Sequence, residues 1–106
     1  MKIDVLYFEG CPNSIPTLRR VREVLDRLGI RVNVNEVQVT ESDDPRPLKF
    51  IGSPTVLIDG RDIDPSQRER ANYAFGCRMF GGAGVPSAEM IEEAIREALS
   101  RGQRRR

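Results

Sequence analysis

Near the N-terminus, the stretch from Ser14 to Leu28 places Ile15, Leu18, Val21, Val24, Leu25 and Leu28 at spacings of three and four. Arg19, Arg20, Arg22, Glu23, Asp26 and Arg27 fill the opposite side, so the stretch predicts an amphipathic helix. Gly29 is its natural left-handed C-cap. Before it, residues 2–8 (K-I-D-V-L-Y-F) alternate and then turn fully apolar, as a strand buried on both faces at its far end does. After it, residues 31–39 alternate up to Val34 and then slip phase at Val37 and Val39, which predicts a strand with a bulge near Asn35. A strand–helix–strand crossover makes its two strands parallel, and that fixes the class as α/β.

The remainder adds antiparallel strands. Thr40 to Pro47 is polar, carries two prolines and reads as a loop, followed by a short helical turn ending around Ile51. Thr55–Ile58 and Arg61–Asp64 flank the dipeptide Asp59-Gly60, a hairpin signal because a type I′ turn needs positive φ at both central residues. Residues 66–84 start polar, gather Tyr73, Phe75, Cys77, Met79 and Phe80, and end in G-G-A-G. A last helix is expected from Ser87, an N-cap preceded by Pro86, to about Ser100. Its buried stripe is Met90, Ile91, Ala94, Ile95, Ala98 and Leu99. The order β-α-β-β-β-α predicts a mixed four-stranded sheet with flanking helices. With 106 residues there is one core, a single domain over residues 1–102 with a disordered basic tail at 103–106.

Composition narrows the chemistry. Seventeen basic and sixteen acidic residues leave a net charge of +1, so no strong field steers the chain toward nucleic acid or a membrane. The arginines at 104–106 come without an aromatic platform and read as a solvated end. No leader and no apolar run long enough for a membrane helix is visible, which predicts a cytoplasmic protein. The glycines at 81–84 precede no phosphate-binding lysine, and no cofactor is expected. Histidine is absent, which removes Cys-His pairs and mixed Cys/His zinc sites. Two cysteines in such a chain point to thiol or metal chemistry before a structural disulfide.

Cys11 stands in F-E-G-C-P-N-S-I-P, between the first strand and the first helix. Free N–H groups and the positive end of a helix dipole favour an anionic sulfur at such a place. Either Cys11 is the N-cap with Pro12 at the first helical position, or Ser14 is the N-cap and Pro16 sits in the first turn. Ser14 then caps the helix, or donates to the sulfur, or both. The plainer alternative is a small buried cysteine.

Strand, Cys-Pro-x-Ser at a helix start, and then Gly52-Ser53-Pro54-Thr55-Val56 leading into a hairpin resemble the thioredoxin-like superfamily, over residues 2 to about 65 and the last helix. The resemblance implies a thioredoxin-like fold in which Pro54 is cis and lies against the active cysteine. It makes Cys11 and Ser14 the expected catalytic pair and Pro12, Ser53, Pro54 and Thr55 the expected substrate contacts. The backbone beside Pro54 would align an extended substrate by strand-like hydrogen bonds. The chain departs from the dithiol members in having Ser14 where they have a second cysteine.

Cys77, in F-G-C-R-M-F, is the only candidate partner thiol, with Arg78 a source of positive charge beside it; it reads equally as a core cysteine among aromatics. Residues 75–89 also resemble the segment around the second active-site cysteine of alkylmercury lyase, on which Cys77 matches that cysteine and Cys11 with Ser14 mimics the first cysteine and its acid. Three readings follow. The first is thiol–disulfide exchange with a protein or small-molecule thiol or disulfide, Cys11 attacking and Cys77 resolving. The second is soft-metal handling, mercury or copper held by Cys11 and Cys77. The third is a binding module with inert cysteines.

Overall fold

The computed structural model describes residues 1–68, 78–82 and 84–104. Its sheet has four strands: β1 (Ile3–Tyr7), β2 (Val34–Gln38), β3 (Thr55–Ile58) and β4 (Arg61–Asp62). Its helices are α1 (Ser14–Leu28), α2 (Pro45–Leu48) and α3 (Ala88–Arg104), with 3-10 turns at Pro65–Gln67 and Phe80–Gly82. The strand order is β2-β1-β3-β4, with β1 parallel to β2 and antiparallel to β3, and β3 antiparallel to β4. The protein is a small α/β domain with a mixed four-stranded sheet and flanking helices. Among the described residues no helix is long and apolar enough to cross a membrane.

The fully apolar end of β1 follows from its central place, which buries it from both sides. Ile3 and Val5 face α1 and α3, together with Val56, Ile58 and Ile63. Leu18, Val21, Val24 and Leu25 from α1 and Ile91, Ala94, Ile95 and Ala98 from α3 complete that core. Leu6 faces the other way and joins Val39, Phe50 and Leu57 in a smaller cluster, with Phe8, Val37 and Leu48 at its rim. Asp59 and Gly60 both take positive φ, 51° and 79°, as the type I′ hairpin requires.

Four expectations are corrected. No bulge occurs at Asn35: the register runs unbroken from Ile3 opposite Val34 to Tyr7 opposite Gln38. The phase slip has another cause, because Val32 and Val34 pack on the helix-covered core while Val37 packs on the smaller cluster and Val39 is buried in it. Ile15 and Leu99, assigned to the buried stripes of their helices, are 67% and 44% exposed, and Thr17 takes the inward place in α1. The last helix continues through Gly102 to Arg104, where a glycine in a fraying end costs little. The stretch 69–77, residue 83 and residues 105–106 lie outside the described residues, and with them Cys77, its aromatic neighbours Tyr73 and Phe75, and the end of the basic tail.

Candidate functional site around Cys11

Where β1 ends, the chain turns through Glu9 and Gly10, and the Cys11 N–H closes that turn on the Phe8 carbonyl at 3.2 Å. Neither proposed helix start is the one adopted: the N-cap is Asn13, and Ser14 is the first helical residue. Cys11 thus sits two residues before the cap. Pro16 falls within the first turn, where a missing N–H leaves no intrahelical bond unmade. Ser14 neither caps the helix nor spends its hydroxyl on the sulfur; its Oγ donates to the Cys11 carbonyl at 3.0 Å. This bond shapes the loop that carries the sulfur.

The start of α1 has no side-chain cap and no acidic residue in its first turn. The Asn13 amide lies instead against Gly84, where a Cβ would come within 2.6 Å of Nδ2 and where φ is +74°. The left-handed backbone favours glycine there, and a Cβ would make the Asn13 amide move. Cys11 itself is 7% exposed and is a free thiol.

The Ser53–Pro54 peptide bond is cis, as the resemblance implied. Ser53 ties this loop to the Cys11 loop, because its Oγ accepts the Phe8 N–H at 3.4 Å. Its carbonyl accepts the Arg78 N–H at 2.9 Å. The Thr55 hydroxyl donates to the Gly52 carbonyl within the loop. Of the residues expected at the substrate, Pro12 is exposed, whereas Ser53, Pro54 and Thr55 are buried.

Arg78 supplies no free charge beside the neighbouring cysteine. Its guanidinium makes a two-pronged pair with Asp62, at 2.7 and 3.2 Å, and lies 4.3 Å from the centre of the Phe80 ring. The side chains of the pair are 9% and 5% exposed. Sequence reasoning missed Asp62 as a site residue, since an aspartate after a hairpin turn carries no signal of its distant partner. It also missed a cleft of about 360 Å³ lined by Phe8, Glu9, Gln38, Val39, Thr40 and Glu41. Its signal was available: in open α/β sheets ligands favour the carboxyl ends of strands, and this cleft opens past the parallel ends of β1 and β2.

Among the described residues, no group of three or more His, Cys, Asp or Glu side chains is placed to hold a metal ion. Comparisons with protein-family models, with curated proteins and with solved structures each returned no match.

Proposed function

We propose that this chain is a thioredoxin-like thiol–disulfide exchange protein acting through Cys11, with Cys77 as the resolving thiol. The observation that carries the reading is the setting of Cys11 between β1 and an uncapped helix start, tied through Phe8 to the loop of a cis Pro54. A thiolate is the nucleophile in exchange, and Cys11 stands two residues before the N-cap of α1. For Cys77 the support is its chain neighbour, since Arg78 bonds the residue preceding Pro54.

In the first step the Cys11 sulfur attacks a disulfide, its S–S bond breaks, and one substrate thiolate leaves as the mixed disulfide forms. In the second step the Cys77 thiolate attacks the Cys11 sulfur of that mixed disulfide and releases the other substrate thiolate. Two protein thiols are oxidised and one substrate disulfide is reduced to two thiols. Ser14 positions the loop in both steps through the Cys11 carbonyl.

The test is incubation with glutathione disulfide followed by peptide mass mapping. The parent chain is expected to pass through a glutathione adduct on Cys11 and end as an intrachain disulfide. Cys77→Ser accumulates the adduct, and Cys11→Ser gives no exchange product. A Cys11 that stays unmodified until the protein is denatured sinks the reading. That outcome would favour a binding module with an inert thiol, to which the 7% exposure of Cys11 also lends support.

A further inference from the structure

The path of the chain opens a crevice at one end of the sheet. β1 and β2 run parallel, and their connections leave toward opposite faces. After β1 the chain enters α1, whose Leu18, Val21, Val24 and Leu25 pack with Ile3 and Val5. After β2 it enters α2, and there Leu48 and the following Phe50 pack with Leu6 and Leu57 on the other face. Where neighbouring parallel strands part in this way, a gap forms outside their carboxyl ends, and in open α/β sheets ligands settle in that gap. Here it is the cleft of about 360 Å³, with Phe8 and Glu9 beyond β1 and Gln38, Val39, Thr40 and Glu41 at and beyond the end of β2. Its volume suits a small metabolite.

The lining decides the kind of molecule. Its only charges are two exposed carboxylates, Glu9 on the β1 lip and Glu41 on the β2 lip. Neither makes a hydrogen bond or an ion pair among the described residues, whereas Glu36, Asp44, Asp62, Glu92 and Glu97 are each paired with arginine. Asp43, next along the chain, accepts from the Thr40 N–H and hydroxyl, neutral donors that leave its charge uncancelled. A cleft lined by one sign of charge focuses its field on the opposite sign. A bare metal ion does not answer that field. Hard cations such as calcium gather six or more oxygens, and among the described residues no group of three acidic or other ligating side chains is placed to hold one. Phe8 gives the lining an apolar wall, which favours hydrocarbon, and an aromatic ring that attracts an ammonium group.

We infer that this cleft binds a small organic dication, two ammonium groups joined by an apolar spacer, with Glu9 and Glu41 as its carboxylate contacts. Two carboxylates carried by separate lips ask for two separated positive charges, and Phe8 in the same lining covers the hydrocarbon that joins them. Gln38 adds a side-chain oxygen that accepts from a remaining N–H. The inference stands apart from the exchange reading, because neither cysteine takes part in it.

The probe is 1,4-diaminobutane, titrated into the full chain at low salt while backbone amide signals are followed by NMR. Three comparators dissect it: 1-aminobutane keeps the spacer with one charge, 1,4-butanediol keeps it with none, and magnesium chloride supplies a divalent cation without hydrocarbon. Saturable shifts at Phe8, Glu9, Val39 and Thr40 are expected with the diamine, with binding about fivefold weaker for the monoamine and none for the diol or magnesium. Glu9→Gln and Glu41→Gln should each weaken the diamine about fivefold, the effect of one ion pair at an exposed site. The double variant should weaken it about twenty-fivefold, since losses at separate residues add. Glu23→Gln, at an exposed and unpaired glutamate of α1, should change nothing. Because Glu9 and Glu41 hold no partner in the fold, their variants should keep the parent spectrum outside the cleft. Four results overturn the inference. They are no saturation by about 10 mM diamine, the same saturable shifts with magnesium, cleft variants that bind like the parent, and a Glu23→Gln protein weakened as much as they are.

Discussion

Helix α3 begins on Ser87, whose Oγ takes the Met90 N–H at 3.1 Å, whereas α1 begins on Asn13, whose side chain makes no capping bond. Two of the three shorter helical pieces follow α3: Asp44 accepts the Arg46 N–H, and Asp64 accepts the Ser66 N–H. Only at the helix that follows Cys11 is a good capping residue present but turned away, toward Gly84. The two long helices are otherwise alike, since each buries one apolar stripe in the same core. Local capping thus serves stability at α3. At α1 the packing of Val21, Val24 and Leu25 carries stability, and the start of the helix has no side-chain cap.

Four changes break or sharpen that contrast, the largest first. Gly84→Val forces a branched side chain into left-handed backbone and onto Asn13. A loss of about 2 kcal/mol in a denaturant titration is expected, together with an altered Cys11 alkylation rate. A Gly84→Val protein of parental stability would mean that Asn13 is not held by this contact.

Ser87→Ala removes the α3 cap and should cost about 1 kcal/mol. Cys11 reactivity should not follow, since this helix start lies away from the sulfur. A matching change in Cys11 kinetics would erase the distinction between the two starts.

Asn13→Asp places an anion at the open start of α1. It should stabilise the helix by about 0.5 kcal/mol while slowing alkylation of Cys11 by about twofold, because the added charge opposes an anionic sulfur. Faster alkylation would mean that the helix start does not act on Cys11 through its charge.

The smallest effect belongs to Asp44. Hydrogen bonds from the Arg46 side chain first, and then from its backbone N–H, hold the Asp44 carboxyl below the usual value. A carboxyl lowered in the folded state stabilises the fold above its unfolded pKa and loses that contribution as pH falls through the folded value. Thermal melts of parent and Asp44→Asn should therefore differ slightly at neutral pH and converge below about pH 4. Because the group is exposed, a large separation would be the surprising result.

What could be read from the sequence was chemistry that acts over a few residues. The spacing of Leu18, Val21, Val24 and Leu25 marked α1 and its buried face, and Asp59-Gly60 fixed the hairpin. Ser87 declared itself as a cap, and Cys11 stands at the strand-to-helix junction where it was expected. The rest depends on which distant residue comes near. Arg78 was visible as a charge, but nothing along the chain said that Asp62 would consume it. Asn13 carried no signal of its own because its contact, Gly84, lies across the fold. The slip at Val37 was misread because periodicity reports that a face changes, not that two separate clusters lie on the two faces.

The sheet's outermost strand on one side, β4, is only two residues long. Such an edge offers little backbone for another chain to grow upon, and short edge strands are one way proteins resist sheet-to-sheet aggregation. Asp62 strengthens the protection, because a neighbour pairing along β4 would have to crowd a carboxylate already committed to Arg78. At the opposite edge β2 exposes Asn35, Glu36 and Gln38, polar groups that such a neighbour would have to strip of water. The aspartate that pairs with Arg78 therefore also helps keep one molecule from templating the next.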